Sequence, residues 1–361
     1  MPVQPDLFSH DAVPARRLTT PEFVEAIGRF EWQGRKTEIA QEPIGTGDAA
    51  IPVLRNEFWT RRQRMAHRLH EISYRACFKP QLPEFFISRL TTDGAAVYDP
   101  FMGRGTTVIQ AALMGRVPFG CDINPLSSML ALPRLSPPLL ADVRARLMAV
   151  DLSWSGPLPD ELLVFYHPET LGEICALRDY LLDRCQSGGL DTVDEWIRMV
   201  AVSRLTGHSP GFFSVYRLPP NQALSVESQR KINADRGQVP ARRDVRRLIL
   251  WLRCWFCGIE ASGVRISISR RLDDWQAFIR EVFTQLARLL KPGGFVAFEV
   301  GEVRGGRLRL EEAVLPCGLA AGLTPVCLLI NDQSFTKTAN IWGVANNRKG
   351  TNTNRILVFR K

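Results

Sequence analysis

The feature that most constrains this sequence is a glycine-containing turn between a short apolar run and a helical pattern. The turn extends from Asp99 to Thr107 and reads Asp-Pro-Phe-Met-Gly-Arg-Gly-Thr-Thr. Glycines allow the backbone to turn sharply and to approach a ligand closely, and the start of the next helix presents unpaired N–H groups. A strand, a glycine turn and a helix in this order predict a binding site on an α/β sheet.

The spacing of glycines and acids around this turn narrows the class of ligand. A dinucleotide site would read G-x-G-x-x-G, whereas this turn has only Gly103 and Gly105. Asp99 precedes the glycines, and a carboxylate at a strand end suits an ammonium group. Asp122 follows Asp99 by 23 residues, near the spacing of about 20 expected for an acid that binds ribose hydroxyls. This pattern favours S-adenosylmethionine; the alternative is that both acids only cap loops.

Strand and helix patterns alternate on both sides of a long helical stretch. Strands are predicted at 95–99, 117–121, 295–300, 325–330 and 355–359. Helical periodicity is predicted at 58–77, 83–90, 105–114, 139–150, 168–182, 192–205, 245–256, 272–290 and 310–321, with a further helix capped by Asn124-Pro125. Such alternation is typical of an α/β fold with a parallel sheet, here interrupted by a mainly helical insertion.

Four segments follow from these patterns. Residues 1–55 mix proline, glycine and charge without periodicity and are expected to form an N-terminal arm or loosely packed cover. Residues 56–137 form the half with the glycine turn, 138–247 the helical insertion, and 248–361 the second half of the sheet domain.

The turn also carries a family resemblance. Its Asp-Pro-Phe-x-Gly-x-Gly-Thr-Thr pattern resembles the cofactor motif of the DNA amino-methyltransferases that modify adenine N6 or cytosine N4. Phe78–Leu82 is similar to the second cofactor segment of that family, and Lys291–Phe295 and Asn354–Phe359 are similar to the late part of its fold. The resemblance covers roughly residues 55–132 and 270–361.

The resemblance implies a Rossmann-like sheet that binds S-adenosyl-L-methionine, with double-stranded DNA as the partner. It implies Asp99 and Gly103 near the methionine part, Asp122 at the ribose, Ile123 beside the adenine, and 78–80 closing the pocket. The complete set of expected cofactor-binding residues is Phe78, Lys79, Pro80, Asp99, Pro100, Phe101, Gly103, Gly105, Thr106, Asp122, Ile123 and Asn124.

The catalytic motif of that family is not found in the sequence. Its members hold the target amine with Asp, Asn or Ser, then Pro-Pro, then an aromatic residue that stacks on the flipped base. Three imperfect candidates are Ser136-Pro137-Pro138-Leu139, Ser209-Pro210-Gly211-Phe212 and Leu218-Pro219-Pro220-Asn221. The pattern also indicates that a strand and loop are missing near residue 250, a gap that Leu248–Leu250 would fill as a short strand. The catalytic residues therefore stay unassigned.

The charge of the chain suits a polyanionic partner. The formal net charge is +9, and the densest basic run lies in the helical insertion, which in this family would recognise the target. This run comprises Arg230, Lys231, Arg236, Arg242, Arg243, Arg246 and Arg247, and Asn346–Lys349 adds a further candidate for phosphate contacts. The alternative is a basic face that only contacts solvent.

Other features indicate a cytoplasmic protein without a metal. No signal peptide and no long apolar span are recognisable, and Cys121, Cys175 and Cys327 lie in apolar runs, as buried free thiols do. Cys254 and Cys257 have no second pair at matching spacing and are expected in a buried helix rather than at zinc. His67 and His70 are expected at the surface.

The leading hypothesis is a site-specific DNA methyltransferase. Two alternatives are a catalytically impaired homologue that keeps cofactor or DNA affinity, and a methyltransferase that acts on RNA.

Overall fold

The structure is a computed structural model. It describes residues 17–44, 50–59, 66–70, 72, 78–203, 205, 207, 211–215, 225–248, 271–301, 308–332 and 353–361. The strands in these ranges are β1 (Glu31–Trp32), β2 (Arg35–Lys36), β3 (Glu38–Pro43), β4 (Ala50–Asn56), β5 (Ala96–Asp99), β6 (Val117–Gly120), β7 (Phe295–Gly301), β8 (Thr324–Asp332) and β9 (Thr353–Arg360).

The helices in the same ranges are α1 (Thr20–Gly28), α2 (Gln81–Leu90), α3 (Thr106–Leu113), α4 (Leu126–Leu135), α5 (Leu140–Ala149), α6 (Pro168–Gln186), α7 (Thr192–Ser203), α8 (Val226–Asp235), α9 (Val245–Leu248), α10 (Leu272–Leu289) and α11 (Leu310–Ala320). Two 3-10 turns are present at Arg68–His70 and Asp160–Leu162. The described residues thus confirm the predicted α/β class, but the expected parallel sheet is wrong for the larger sheet, in which only one of the four pairings is parallel. None of these helices combines the length and hydropathy needed to cross a bilayer.

The five strands predicted from sequence are confirmed as β5 to β9, with bounds that shift by at most two residues. The predicted helix over 58–77 is wrong where it can be compared. Phe58 and Trp59 are not helical, and the other described part contains only the 3-10 turn Arg68–His70. Of the predicted helix 245–256, Val245–Leu248 is helical, so a strand at Leu248 is also wrong. The rest of that segment, with the Cys254–Cys257 pair, lies outside the described residues.

The chain divides into two compact units that interleave along the sequence. The first draws on Met1–Ala66, Gln81–Ala95 and Ser267–Lys361, and the second on His67–Pro80 and Ala96–Ile266. The four segments inferred from sequence stay a prediction.

The first unit contains a five-stranded mixed sheet in the order β3-β4-β8-β9-β7. Strand β4 pairs in parallel with β8, and the other three pairings are antiparallel. Residues 326–330 of β8 and 356–359 of β9 are buried without interruption, as expected for inner strands covered on both faces. Helix α10 places Ile279 and Phe283 on one buried stripe, and the Phe283 ring lies 5.2 Å from that of Phe359.

The N-terminal residues take part in this sheet. The sequence predicts an extended arm or loose cover over 1–55, but the described residues there form α1 and β1 to β4. Periodicity misses β3 because every residue of Glu38–Pro43 is exposed, as befits a strand at the edge of the sheet. The edge strand is then specified by backbone pairing with β4 rather than by an apolar face.

The second unit combines a parallel strand pair with a helical core. Strands β5 and β6 pair with each other and with no other described strand. In the helical part, the carboxylate of Asp194 is fully buried and accepts hydrogen bonds from Arg146, Arg184 and Tyr180. Arg146 also binds Asp191, and its guanidinium lowers the pKa of Asp191 to about 2. This network joins α5, α6 and α7, because a buried carboxylate is tolerated only when it is paired.

Candidate functional site

The predicted site lies where two parallel strands end side by side. Asp99 at the end of β5 is the register partner of Gly120 at the end of β6. The pairing continues past the strands, since Cys121 N–H donates to the Asp99 carbonyl at 3.0 Å and Met102 N–H to the Cys121 carbonyl at 3.1 Å. The glycine turn and the loop after β6 are therefore held against each other by backbone hydrogen bonds.

Both glycines of the turn have backbone angles that favour glycine. Gly103 has φ 50° and Gly105 has φ 84°, in the left-handed region that side chains rarely adopt. Gly105 is also the residue before α3, and a Cβ at this position would lie 2.8 Å from the Cβ of Ala131 on α4. The sequence thus needs glycine at 105 both for the turn and for the close packing of α4 against it.

Asp122 ties the two loops together through its side chain. One carboxylate oxygen accepts the N–H of Gly103 at 2.8 Å, and the other accepts the N–H of Asn124 at 2.8 Å. Asn124 in turn accepts the N–H of Leu126, the first residue of α4. A single half-buried carboxylate therefore fixes the glycine turn relative to the start of α4.

Asp99 lies in a different electrostatic environment. It accepts the N–H of Phe101 at 3.0 Å. Burial raises its pKa, and the nearby charge of Asp122 raises it further, while hydrogen bonds from Thr107 and Phe101 act in the opposite direction. A cation placed beside Asp99 would stabilise its charged form against both effects.

The other predicted residues cluster around these acids. Phe101 and Ile123 are large apolar side chains with exposed fractions of 48% and 60%, so they offer apolar surface at this edge. Thr106 begins α3 and is buried. The structure brings the residues from Asp99 to Thr106 together with those from Asp122 to Asn124; their binding of a ligand stays a prediction.

The segment before the site is connected to the turn by an arginine that the sequence reasoning missed. Arg104 stands between the two glycines and donates to the Phe78 carbonyl at 3.5 Å and to the Ile72 carbonyl at 2.6 Å. Lys79 is half-buried and Pro80 is buried. In the motif Arg104 occupies an unspecified position, so no sequence signal marks it.

His70 differs from its expected place at the surface. It is buried, and its Nε2 lies 3.1 Å from Oε1 of Gln110 on α3. Burial lowers its pKa to about 4, and the charges of Arg104 and Arg134 act in the same direction. His67 is exposed, as expected. Cys121 is exposed rather than buried, whereas Cys175 and Cys327 are buried free thiols as expected.

The basic run is only partly available to a polyanion. Arg242 forms ion pairs with Glu169 and Glu173, and Arg246 donates to the carbonyls of Leu147 and Val150. These two arginines line a cavity of about 570 Å³ in the helical part together with both glutamates. Their charge is thus used within the fold, while Arg230 and Lys231 on α8 are exposed.

The structure adds little on the catalytic residues. Ser136-Pro137-Pro138-Leu139 links α4 to α5, as expected, and Leu139 is exposed. Ser209-Pro210, Leu218–Asn221 and Asn346–Lys349 lie outside the described residues. Within the described ranges, no group of three His, Cys, Asp or Glu residues is arranged to hold a metal ion.

Comparisons with known proteins match the part of the chain that includes the turn. Residues 38–129 match a family model described as DNA methylase. Over 70 residues the chain is 40% identical to the type II methyltransferase M.MjaII of Methanocaldococcus jannaschii, a match to 19% of this chain and 13% of that protein. Over 81 residues it is 36% identical to M.MvaI of Kocuria varians, covering 22% and 17%. No solved structure gives a significant match.

These matches confirm the resemblance to the DNA amino-methyltransferase family for the segment that contains the glycine turn. They span less than a fifth of the length of each relative.

Substituting Gly105→Ala tests the packing of the turn. We expect a loss of about 2 kcal/mol or more in the free energy of unfolding, because left-handed strain is added to overpacking against Ala131. The matched control is Gly115→Ala, since Gly115 has φ 74° and a Cβ there would meet no atom within 4 Å. Urea unfolding of both variants measures the difference; equal losses would contradict the packing argument.

The buried His70 predicts a pH dependence of stability. Its pKa is lowered on folding, from the ordinary 6.5 to about 4, so the unfolded chain binds this proton more readily. The contribution of His70 is therefore complete above pH 6.5 and is lost as pH falls from 6.5 towards 4. Urea unfolding should show that His70→Gln loses less stability than the wild type over this range, whereas the exposed-site control His67→Gln follows the wild type. Parallel curves for all three proteins would contradict the neutral, buried state of His70.

Proposed function

We propose that this chain is a DNA methyltransferase that uses S-adenosylmethionine and transfers a methyl group to an exocyclic amine, cytosine N4 or adenine N6. The observation that carries the proposal is the side chain of Asp122, which joins the glycine turn to the loop after β6. This arrangement lies inside the segment that matches the DNA methylase family. The strand–turn–helix–strand unit from β5 to β6 supports a Rossmann-like sheet as its setting.

The residues around the turn fit this methyl donor. S-adenosylmethionine carries an ammonium and a sulfonium, and a cationic ligand stabilises the ionised form of Asp99, whose pKa is raised first by burial and further by the charge of Asp122. The N–H groups at the start of α3 provide donors for the carboxylate of its methionine part. When bound, the cofactor supplies a methyl group on a good leaving group.

Each expected residue then has a binding role. Asp99 and Gly103 hold the methionine part. Asp122 accepts hydrogen bonds from the ribose hydroxyls, using the carboxylate lone pairs that its two backbone hydrogen bonds leave unoccupied. Ile123 provides an exposed apolar surface for the adenine. The remaining expected residues, Phe78, Lys79, Pro80, Pro100, Phe101, Gly105, Thr106 and Asn124, shape the pocket around these contacts.

The partner we propose is double-stranded DNA, with the target base flipped out of the stack so that its amine meets the methyl group in line. The net charge of +9 favours contact with the phosphate backbone, to which exposed Arg230 and Lys231 of α8 can contribute. The setting we propose is cytoplasmic and of the restriction-modification type, because both relatives are named as type II methyltransferases.

A second candidate function is favoured by the sequence itself. Since the Pro-Pro-aromatic tetrad is absent, a homologue that binds cofactor or DNA without turnover is the main competitor. Methylation of RNA is a third, because the same cofactor site and basic surface would serve it.

Transfer of a labelled methyl group to duplex DNA tests the proposal. We expect the wild-type chain to label DNA, and Asp122→Asn to raise the KM for S-adenosylmethionine by about tenfold or more, since hydrogen bonds to a charged acceptor are lost. The control is Asp142→Asn, which removes the same charge from an exposed position on α5. Mass spectrometry of the digested product identifies the methylated base.

The other results separate the candidates. Cofactor binding without labelling of any DNA would contradict the methyltransferase and support the binding homologue. In a competition experiment, unlabelled structured RNA or unlabelled duplex DNA is added to the reaction. If only the RNA reduces the labelling, RNA is favoured as the substrate.

A further inference from the structure

We propose that Arg104 is a positioning residue that holds the described residues of the segment 67–80, namely 67–70, 72 and 78–80, against the glycine turn and thereby sets the affinity for the methyl donor. This inference rests on the proposed function, because it assumes that residues 78–80 close the cofactor pocket. Its structural part, the attachment of the segment, stands on contacts within the second unit alone.

The side chain of Arg104 donates hydrogen bonds to backbone carbonyls at three positions of the segment. Nη1 donates to the carbonyl of His70 at 3.1 Å and to that of Ile72 at 2.6 Å. Nη2 donates to the carbonyl of Phe78 at 3.5 Å. A guanidinium presents five N–H donors in a rigid plane, so one side chain can bind several carbonyls at once.

The start of α3 fixes the orientation of this guanidinium. Its Nε donates to Oγ1 of Thr106 at 3.1 Å, and Thr106 is buried at the first position of α3. The backbone of Arg104 lies between Gly103 and Gly105, so the residue belongs to the turn while its side chain reaches the segment. Arg104 therefore links the segment directly to the turn.

Arg134 supports the same arrangement from α4. It is buried and donates to the carbonyls of Leu69, at 2.8 Å, and of Arg104 itself. Burial, followed by the charge of Arg104, lowers the pKa of Arg134 to about 9. The segment is thus bound at residues 69, 70, 72 and 78 by two neighbouring cations.

The cost of placing two guanidinium groups side by side indicates that they do more than pack the segment. Among the described residues neither guanidinium is paired with a carboxylate: the buried Arg134 donates to backbone carbonyls, and the half-buried Arg104 donates to carbonyls and to Thr106 Oγ1. Placing two like charges together in this way is costly, and an apolar contact would attach a segment at lower cost. Several directional hydrogen bonds instead fix the register of the segment, which is what a ligand pocket requires.

The test combines cofactor binding with amide exchange on the full chain. Equilibrium titration with S-adenosylmethionine compares the wild type with Arg104→Ala and Arg104→Lys. We expect the dissociation constant of Arg104→Ala to rise about tenfold or more, since several charge-assisted hydrogen bonds are lost. Arg104→Lys should be intermediate, because an ammonium keeps the charge but cannot span the carbonyls. Millimolar guanidinium ion should recover affinity in Arg104→Ala alone.

Two controls separate positioning from general destabilisation. Arg144→Ala removes the same charge from an exposed position on α5 and should bind like the wild type. Hydrogen exchange should accelerate in peptides that cover residues 67–80 of Arg104→Ala, with the helical core unchanged. Wild-type affinity in Arg104→Ala, no rescue by guanidinium, or a fall in protection across the whole unit would overturn the inference. If the wild type itself binds no cofactor, the proposed function fails, and the exchange data alone decide whether Arg104 holds the segment.

Discussion

The site depends on one carboxylate that serves two loops. Asp122 accepts the N–H of Gly103 and the N–H of Asn124, so the end of one strand fixes the turn that follows its neighbour. The turn also requires glycine at position 105, because a Cβ there would lie 2.8 Å from the Cβ of Ala131 on α4. Burial, and further the charge of Asp122, raise the pKa of Asp99, so a cation beside this carboxylate would stabilise its charged form. The conformation of the turn, the packing of α4 and the charge at this edge of the strands therefore depend on the same few residues.

Local chemistry explains how much of this could be predicted from the sequence. The turn, its two acids and the strands β5 and β6 were recognisable because left-handed glycines, strand-end carboxylates and apolar runs leave short-range signals. The same holds for β8 and β9, whose continuous apolar residues are buried on both faces. The edge strand β3 left no such signal, since all its side chains are exposed and backbone pairing alone specifies it.

Contacts between distant residues account for what the sequence did not reveal. Arg104 binds carbonyls 26 to 34 residues away, and carbonyls are the same in every residue type, so no pattern marks their partner. His70 is buried and its Nε2 is paired with Gln110, which lies 40 residues later in the chain. Similarly, the sequence places Arg242 in a basic run, whereas in the structure Arg242 forms ion pairs with Glu169 and Glu173. Charge counted along a chain overstates the charge that the fold leaves available.

A crystal structure of the full chain with S-adenosylhomocysteine, the demethylated product of the cofactor, tests the central claim most directly. We expect ligand density at the carboxyl ends of β5 and β6, with the ribose hydroxyls within hydrogen-bond distance of Asp122 and the amino group beside Asp99. Density at another location, or no density at a saturating ligand concentration, would contradict it.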